Sequence, residues 1–141
     1  MIIRDAILAD AERVKILLEQ LGYPKTLEFV EKQLKQLSNK SDYRTLVCEI
    51  DGQVVGLMTI HFWLQIGFEG ETCNISFFVV DENIRSKGVG KAMEEHCTAL
   101  AQERGCFAIE LFSLDKRIDA HRFYERQGYQ HIQKYFIKEL M

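Results

Sequence analysis

The stretch Ile75 to Leu100, ISFFVVDENIRSKGVGKAMEEHCTAL, decides the fold of this 141-residue chain. Ile75, Phe77, Phe78, Val79 and Val80 form a β-branched and aromatic run of strand length. The run is near-continuous rather than alternating, which predicts a central strand covered on both faces. Asp81, Glu82 and Asn83 break it. Arg85, Ser86, Lys87, Gly88, Val89, Gly90 and Lys91 then bring cations, a hydroxyl and two glycines to the start of a helix. Val89, Ala92, Met93, His96, Cys97, Leu100 and Ala101 recur at the spacing of one helix face.

A helix N-terminus leaves its first N–H groups without intrahelical partners and carries a partial positive charge, so it can hold an anion. Glycine at 88 and 90 would let a pyrophosphate approach the backbone without Cβ interference. Arg85, Lys87 and Lys91 add formal charge. An ordinary strand-turn-helix connection with solvated cations is the competing reading of the same residues. Two other phosphate motifs do not fit: a P-loop needs Ser or Thr after the lysine, where Ala92 follows Lys91, and a dinucleotide fingerprint needs a third glycine where Met93 stands.

The stretch Arg85 to Gly90, RSKGVG, resembles the [QR]-x-x-G-x-[GA] pyrophosphate loop of the GCN5-related N-acetyltransferase (GNAT) superfamily, placed as there between the central strand and its helix. Downstream, Ala120 to Tyr129, AHRFYERQGY, resembles the superfamily's A-x-x-[LF]-Y-x-x-x-G-[FY] signature. The two together cover about the second half of the chain. The segments CEIDGQVVGLMTIHF, from Cys48, and KRIDAHRFYERQGY, from Lys116, look most like the aminoalkylphosphonate N-acetyltransferase branch.

Outward from the central stretch, Ile2 to Asp5 predicts a first strand. Asp10 is a candidate N-cap for a helix with Ala11, Val14, Leu17 or Leu18 and Leu21 inward, ended by Gly22 and Pro24. A second helix starts near Thr26 with Leu27, Val30, Leu34 and Leu37 inward. In the superfamily these helices wall the acceptor pocket, which makes Tyr23, Tyr43 and Phe29 candidate lining residues, Phe29 more readily a core residue. Arg44 to Ile50 and Gln53 to Trp63 flank Asp51-Gly52, the signal of a type I′ hairpin. Phe107 to Ser113 predicts a strand parallel to the central one across the helix crossover. Asp119 can cap a last helix that stops at Gly128, and Tyr129 to Leu140 predicts closing strands. The expectation is one α/β domain, residues 1–141, with a six- or seven-stranded mixed sheet and four helices on its faces.

Bulk composition fits that reading. A hydrophobic fraction of 47% and a charged fraction of 28% describe a globular chain, and 141 residues suffice for one core. No apolar run reaches membrane-spanning length and the N-terminus lacks a signal-peptide core, so a cytoplasmic location without membrane attachment is expected. A net charge of −3 argues against a nucleic-acid groove and favours cationic substrates. Cys48, Cys73, Cys97 and Cys106 lack C-x-x-C spacing and are expected as reduced thiols. The histidines lack metal-ligand spacing, His96 is expected as a core histidine, and no metal is predicted.

The resemblance implies acetyl-CoA as cosubstrate, its pyrophosphate on residues 86 to 91 and its pantetheine arm along Phe78, Val79 and Val80. A strand bulge and splay would let an N–H near Val79 or Val80 face the acetyl oxygen. Tyr124 matches the superfamily tyrosine that protonates the departing thiolate; on the residues alone it also reads as an aromatic packing residue. Arg117 stands where many relatives carry a cofactor-binding asparagine, and could reach a phosphate of the donor or an anionic group on the acceptor; His121 reads equally as surface charge. The superfamily's strand glutamate is absent, Asn74 and Phe77 standing in the comparable positions, which leaves Glu71, Glu69 and His61 as candidate bases. The implied activity is acetyl transfer to a primary amine of a small molecule, with possible homodimers. A non-catalytic acyl-CoA-binding module and a protein N-terminal or lysine acetyltransferase are the alternatives.

Overall fold

The structure is a computed structural model that describes all residues except 27, 85, 86, 114 to 116, 133 and 134. It divides into two compact units, Met1–Glu110 and Leu111–Met141. The first holds the sheet, all but its last residue Leu111, in the order β1 (Ile2–Asp5), β2 (Tyr43–Ile50), β3 (Gln53–Leu64), β4 (Glu71–Val80) and β5 (Ala108–Leu111). The pairs from β1 to β4 are antiparallel. Between β4 and β5, Phe107 N–H donates to the Glu71 carbonyl and Glu110 meets Asn74, so both chains advance together. That pair is parallel, and helix α3 (Val89–Arg104) is the crossover that parallel neighbours require.

The β2–β3 turn has Asp51 at φ 50° and Gly52 at φ 80°, the positive pair that a type I′ hairpin needs. From it, alternation sends Leu57, Thr59, His61 and Trp63 to one face of β3 and Gly56, Met58, Ile60 and Phe62 to the other. The first face carries α1 (Ala11–Leu21) and α2 (Val30–Ser38). There Val14, Leu17, Leu18, Val30 and Leu34 pack with Val47, Val54, Leu57 and Val79. The second face carries α3, which buries Val89, Met93, Cys97 and Ala101.

A side chain at Gly56 would block that approach. A Cβ there would stand 2.6 Å from Met93 Sδ and 3.2 Å from both Cys48 Cβ and Val89 Cγ1. Gly56→Ala is therefore expected to destabilise the protein by about 2 kcal/mol through overpacking. The check is urea unfolding, with a lower midpoint and an unchanged slope. At its other end α3 is held by Arg104, which pairs bidentately with Glu71 at 2.9 and 3.3 Å, bonds Asp42, and lies 4.3 Å over the Phe62 ring.

Several local expectations change. The sheet has five strands rather than six or seven, because Tyr129 to Leu140 forms none among its described residues. Strand propensity is realised only where a partner strand and a covering layer exist. Ile132, Phe136 and Leu140 instead stay exposed. Asp10 occupies the N-cap position of α1 without a capping bond from its side chain; its carboxylate accepts from both Arg4 Nη atoms at 2.8 and 3.0 Å and from the Ile7 N–H. Arg4 holds this carboxyl well below its usual range against the cost of burial. Phe29 is 47% exposed rather than a core residue. The second unit carries α4 (Ile118–Arg126), whose N-cap is Arg117 rather than Asp119.

Candidate active site

β4 carries one residue too many for its partner. Ile75 pairs with Ile60 and Phe77 with Thr59, so Ser76 is an extra residue, a bulge whose hydroxyl meets Thr59 Oγ1 at 2.7 Å. The bulge thus lies two residues before the expected stretch. Beyond it, Asp81 N–H donates to the Val55 carbonyl at 2.7 Å. Alternation then turns the Val79 N–H toward β3 and the N–H groups of Phe78 and Val80 away from it. Of the two candidate amides, that of Val80 is the one turned away from β3. β5 ends at Leu111, while β4 runs on to Val80.

The connection from β4 to α3 is tied to α1. Asp81 is 5% exposed. Its carboxylate accepts from Arg13 Nη2 at 2.7 Å, from Gln20 Nε2 at 3.4 Å and from the Asn83 N–H at 3.0 Å. Gln20 also receives the Glu82 N–H at 2.9 Å, and Arg13 Nε donates to the Val54 carbonyl. The Asn83 bond first, with Arg13 and Gln20 behind it, pulls the Asp81 carboxyl down against burial.

Gly88 caps α3 with φ 80°, and a Cβ there would meet nothing within 4 Å. Among the described residues no side chain caps this end, and no acidic residue sits in its first turn. Its N–H groups therefore face outward under an uncompensated partial positive charge. Lys87 is exposed, Val89 is buried against the sheet, and Lys91 is exposed with Glu95 3.9 Å away. Arg85 and Ser86 lie outside the described residues.

The candidate bases separate. Glu71 is on the α3 side of the sheet with both carboxylate oxygens on Arg104, a fastening between strand and helix rather than a group aimed at an acceptor. Glu69 is exposed in the β3–β4 loop. His61 lies on the α1 and α2 face, stacked with Tyr43 at 5.3 Å. Tyr23 sits edge-on to Phe77 at 5.2 Å on the same face. A cavity of about 380 Å³ opens between α2 and β2, lined by Leu34, Leu37, Tyr43 and Thr45 among others, and takes in none of the loop residues.

In the second unit Tyr124 packs edge-on against Phe123 at 5.5 Å and Tyr129 at 5.7 Å. Burial pushes its phenol up to about 12, with the positive charge of Arg117 opposing the rise. Arg117 thus belongs electrostatically to Tyr124. His121 N–H continues the helix by donating to the Arg117 carbonyl.

Sequence reading expected the bulge near Val79 or Val80 rather than at Ser76, and missed the Arg13–Asp81–Gln20 lock and Glu110. Only Glu110 left a signal, as a lone carboxylate inside the apolar run Phe107 to Phe112, FAIELF.

The model of the Acetyltransferase (GNAT) family matches residues 11–129. The chain belongs to the GNAT family. This GNAT chain is 31% identical over 90 residues to the aminoalkylphosphonate N-acetyltransferase of Salmonella typhimurium, a match over 64% of this chain and 58% of that protein. It spans about half the length of the first curated relatives it matches. A GNAT family acetyltransferase from Staphylococcus aureus superposes with a TM-score of 0.83 at 27% identity, over 99% of this chain and 98% of that one. Aminoglycoside N-acetyltransferase AAC(6')-Iy, solved in complex with CoA, shares the fold at a TM-score of 0.85 and 13% identity, over 99% and 93% of the two chains. Among the described residues of this GNAT chain no helix is long and apolar enough to cross a membrane.

Proposed function

We propose that residues 1–141 act as one acetyl-CoA-dependent N-acetyltransferase domain that transfers acetyl to a primary amine of a small molecule by direct attack. The observation that carries this is the N-terminus of α3, led by Gly88 and without a side-chain cap or first-turn acid among the described residues, joined by residues 81–87 to a bulged β4 whose Val80 amide points away from β3. Family membership supports it, as does the CoA bound to AAC(6')-Iy. The activity for which the Salmonella relative is named, aminoalkylphosphonate N-acetylation, supports a small amine as acceptor.

The amides of Gly88 to Lys91 would receive the pyrophosphate, with Arg85, Ser86 and Lys87 beside it and Arg117 available to an anionic group. The pantetheine amides would pair along Phe78 to Val80 as an added strand does. The Val80 N–H would stabilise the charge that develops on the acetyl oxygen, and Tyr124 would protonate the departing thiolate.

Gly88→Val tests the cradle. A β-branched residue at φ 80° strains the turn and sets a side chain where the anion lies. Calorimetry is expected to show CoA affinity reduced about ten-fold or more. Wild-type protein that gives no heat with CoA, or a variant that binds CoA equally well, would sink this reading. Thiol release from acetyl-CoA with a panel of amines then tests turnover.

A further inference from the structure

Five side chains line up across the sheet on the face that carries α1 and α2. Tyr43 of β2 stands beside His61 of β3, and His61 beside Asn74 of β4. Trp63 tilts against His61 with ring centroids 6.0 Å apart, completing an aromatic row with the stacked Tyr43. From β5, Glu110 Oε1 accepts the indole N–H of Trp63 at 3.3 Å and the Asn74 amide at 3.4 Å. Among the described residues no donor meets its Oε2, and no arginine or lysine pairs with it. Trp63 and Tyr43 are 39% and 40% exposed, so the row is open to a ligand.

A carboxylate beside aromatic faces is a site for an organic cation: the rings attract an alkylammonium through their quadrupoles and the carboxylate accepts its charged N–H. The location is apt. One pair along β4 from Asn74 comes Ile75, and next the bulge at Ser76, where the run toward Val80 begins. The resemblance sets Asn74 and Phe77 at the positions comparable to the superfamily's strand glutamate, and the Asn74 amide holds a carboxylate from the neighbouring strand.

Resting on the acetyltransferase reading, we propose that Glu110 and the Tyr43, His61 and Trp63 row bind the protonated amine of the acceptor, and that Glu110 takes its first proton. The freed nitrogen lone pair attacks the thioester carbon and forms the C–N bond. The C–S bond breaks with its electron pair on sulfur. The second nitrogen proton ends on the sulfur, and Glu110 returns its proton to water. The balance is ammonium plus acetyl thioester giving amide, thiol and one proton.

Trp63 is the chain's one tryptophan, so its emission reports on this row. An alkylammonium series, from ethylammonium to the dication of 1,4-diaminobutane, is titrated at neutral pH with and without CoA. A saturable change is expected in the wild type, about ten-fold weaker in Glu110→Gln and in Tyr43→Leu, with CoA affinity unchanged. The corresponding alcohols give none. No saturable change, or an unaltered response in Glu110→Gln, overturns the proposal.

In turnover, Glu110→Gln should lower kcat/KM about a hundred-fold for alkylamines, which are protonated at neutral pH, and far less for aniline-type acceptors, which are already neutral. Equal loss for both classes would overturn the proton-accepting role. Ammonium binding that persists in a protein unable to bind CoA would sink the acetyltransferase reading and leave the ammonium site standing.

Discussion

Tyr124→Phe is expected to lower kcat about a thousand-fold while CoA affinity and the KM for the amine stay near their wild-type values. The argument starts from the phenol. Burial pushes it up to about 12, so it stays protonated throughout the neutral range. Such a phenol is too weak an acid to protonate a thiolate unaided, since thiols near 8.5 are stronger acids. It can hydrogen-bond the leaving sulfur and hand over its proton only as the far more acidic nitrogen of the tetrahedral intermediate refills it. Phenylalanine keeps the ring contacts with Phe123 and Tyr129 and removes the hydroxyl that the proposed relay needs. Single-turnover thiol release checks this. A variant that turns over like the wild type would reduce Tyr124 to a packing residue.

The second large effect is on stability. Asp81→Ala is expected to cost about 3 kcal/mol, or roughly 10 °C in Tm, because it leaves Arg13 and the Asn83 N–H without their shared acceptor. The same carboxylate gives a pH dependence with a definite sign. Its folded pKa is depressed, so its contribution is fully present above the unfolded aspartate value of about 3.9 and is lost as pH falls through the lower folded value. Wild type and Asp81→Ala should therefore differ most at neutral pH and converge in acid. Thermal melts across that range check it. A constant gap down to strong acid would remove Asp81 from the account. Because Asp81 and Gln20 also anchor the start of the 82–88 connection, CoA affinity should fall in the same variant, measured below its Tm.

What the sequence made legible was local. The β4 run and the helix α3 each depend on residues within one or two turns of one another, and strand and helix formed where the sequence placed them, with Gly88 at the helix start. So did the Asp51-Gly52 hairpin, where backbone φ alone selects the residues. What escaped were partnerships over long sequence separations. Asp10 looked like a helix cap because its competitor, Arg4, comes from a strand edge. Glu71 looked like a free carboxylate until α3 brought Arg104 to it. Within α3, periodicity placed Ala92, His96 and Leu100 inward, yet Glu94 is the buried member, with the Thr98 hydroxyl donating to it at 2.8 Å. Aromatic content in Tyr129 to Leu140 predicted strands, but composition does not supply a neighbour to pair with.

Helix α3 is fastened twice, by the tight seat of Val89 and Met93 over Gly56 and by Arg104 gripping Glu71 and Asp42. Rotation about its own axis would break the first fastening, and sliding along it would break the second. Under the proposed function, a phosphate arriving at the Gly88 end would therefore meet dipoles whose directions were set when the chain folded. Little configurational freedom remains to be surrendered on association, so the affinity of that encounter is fixed by folding rather than by adaptation to the ligand.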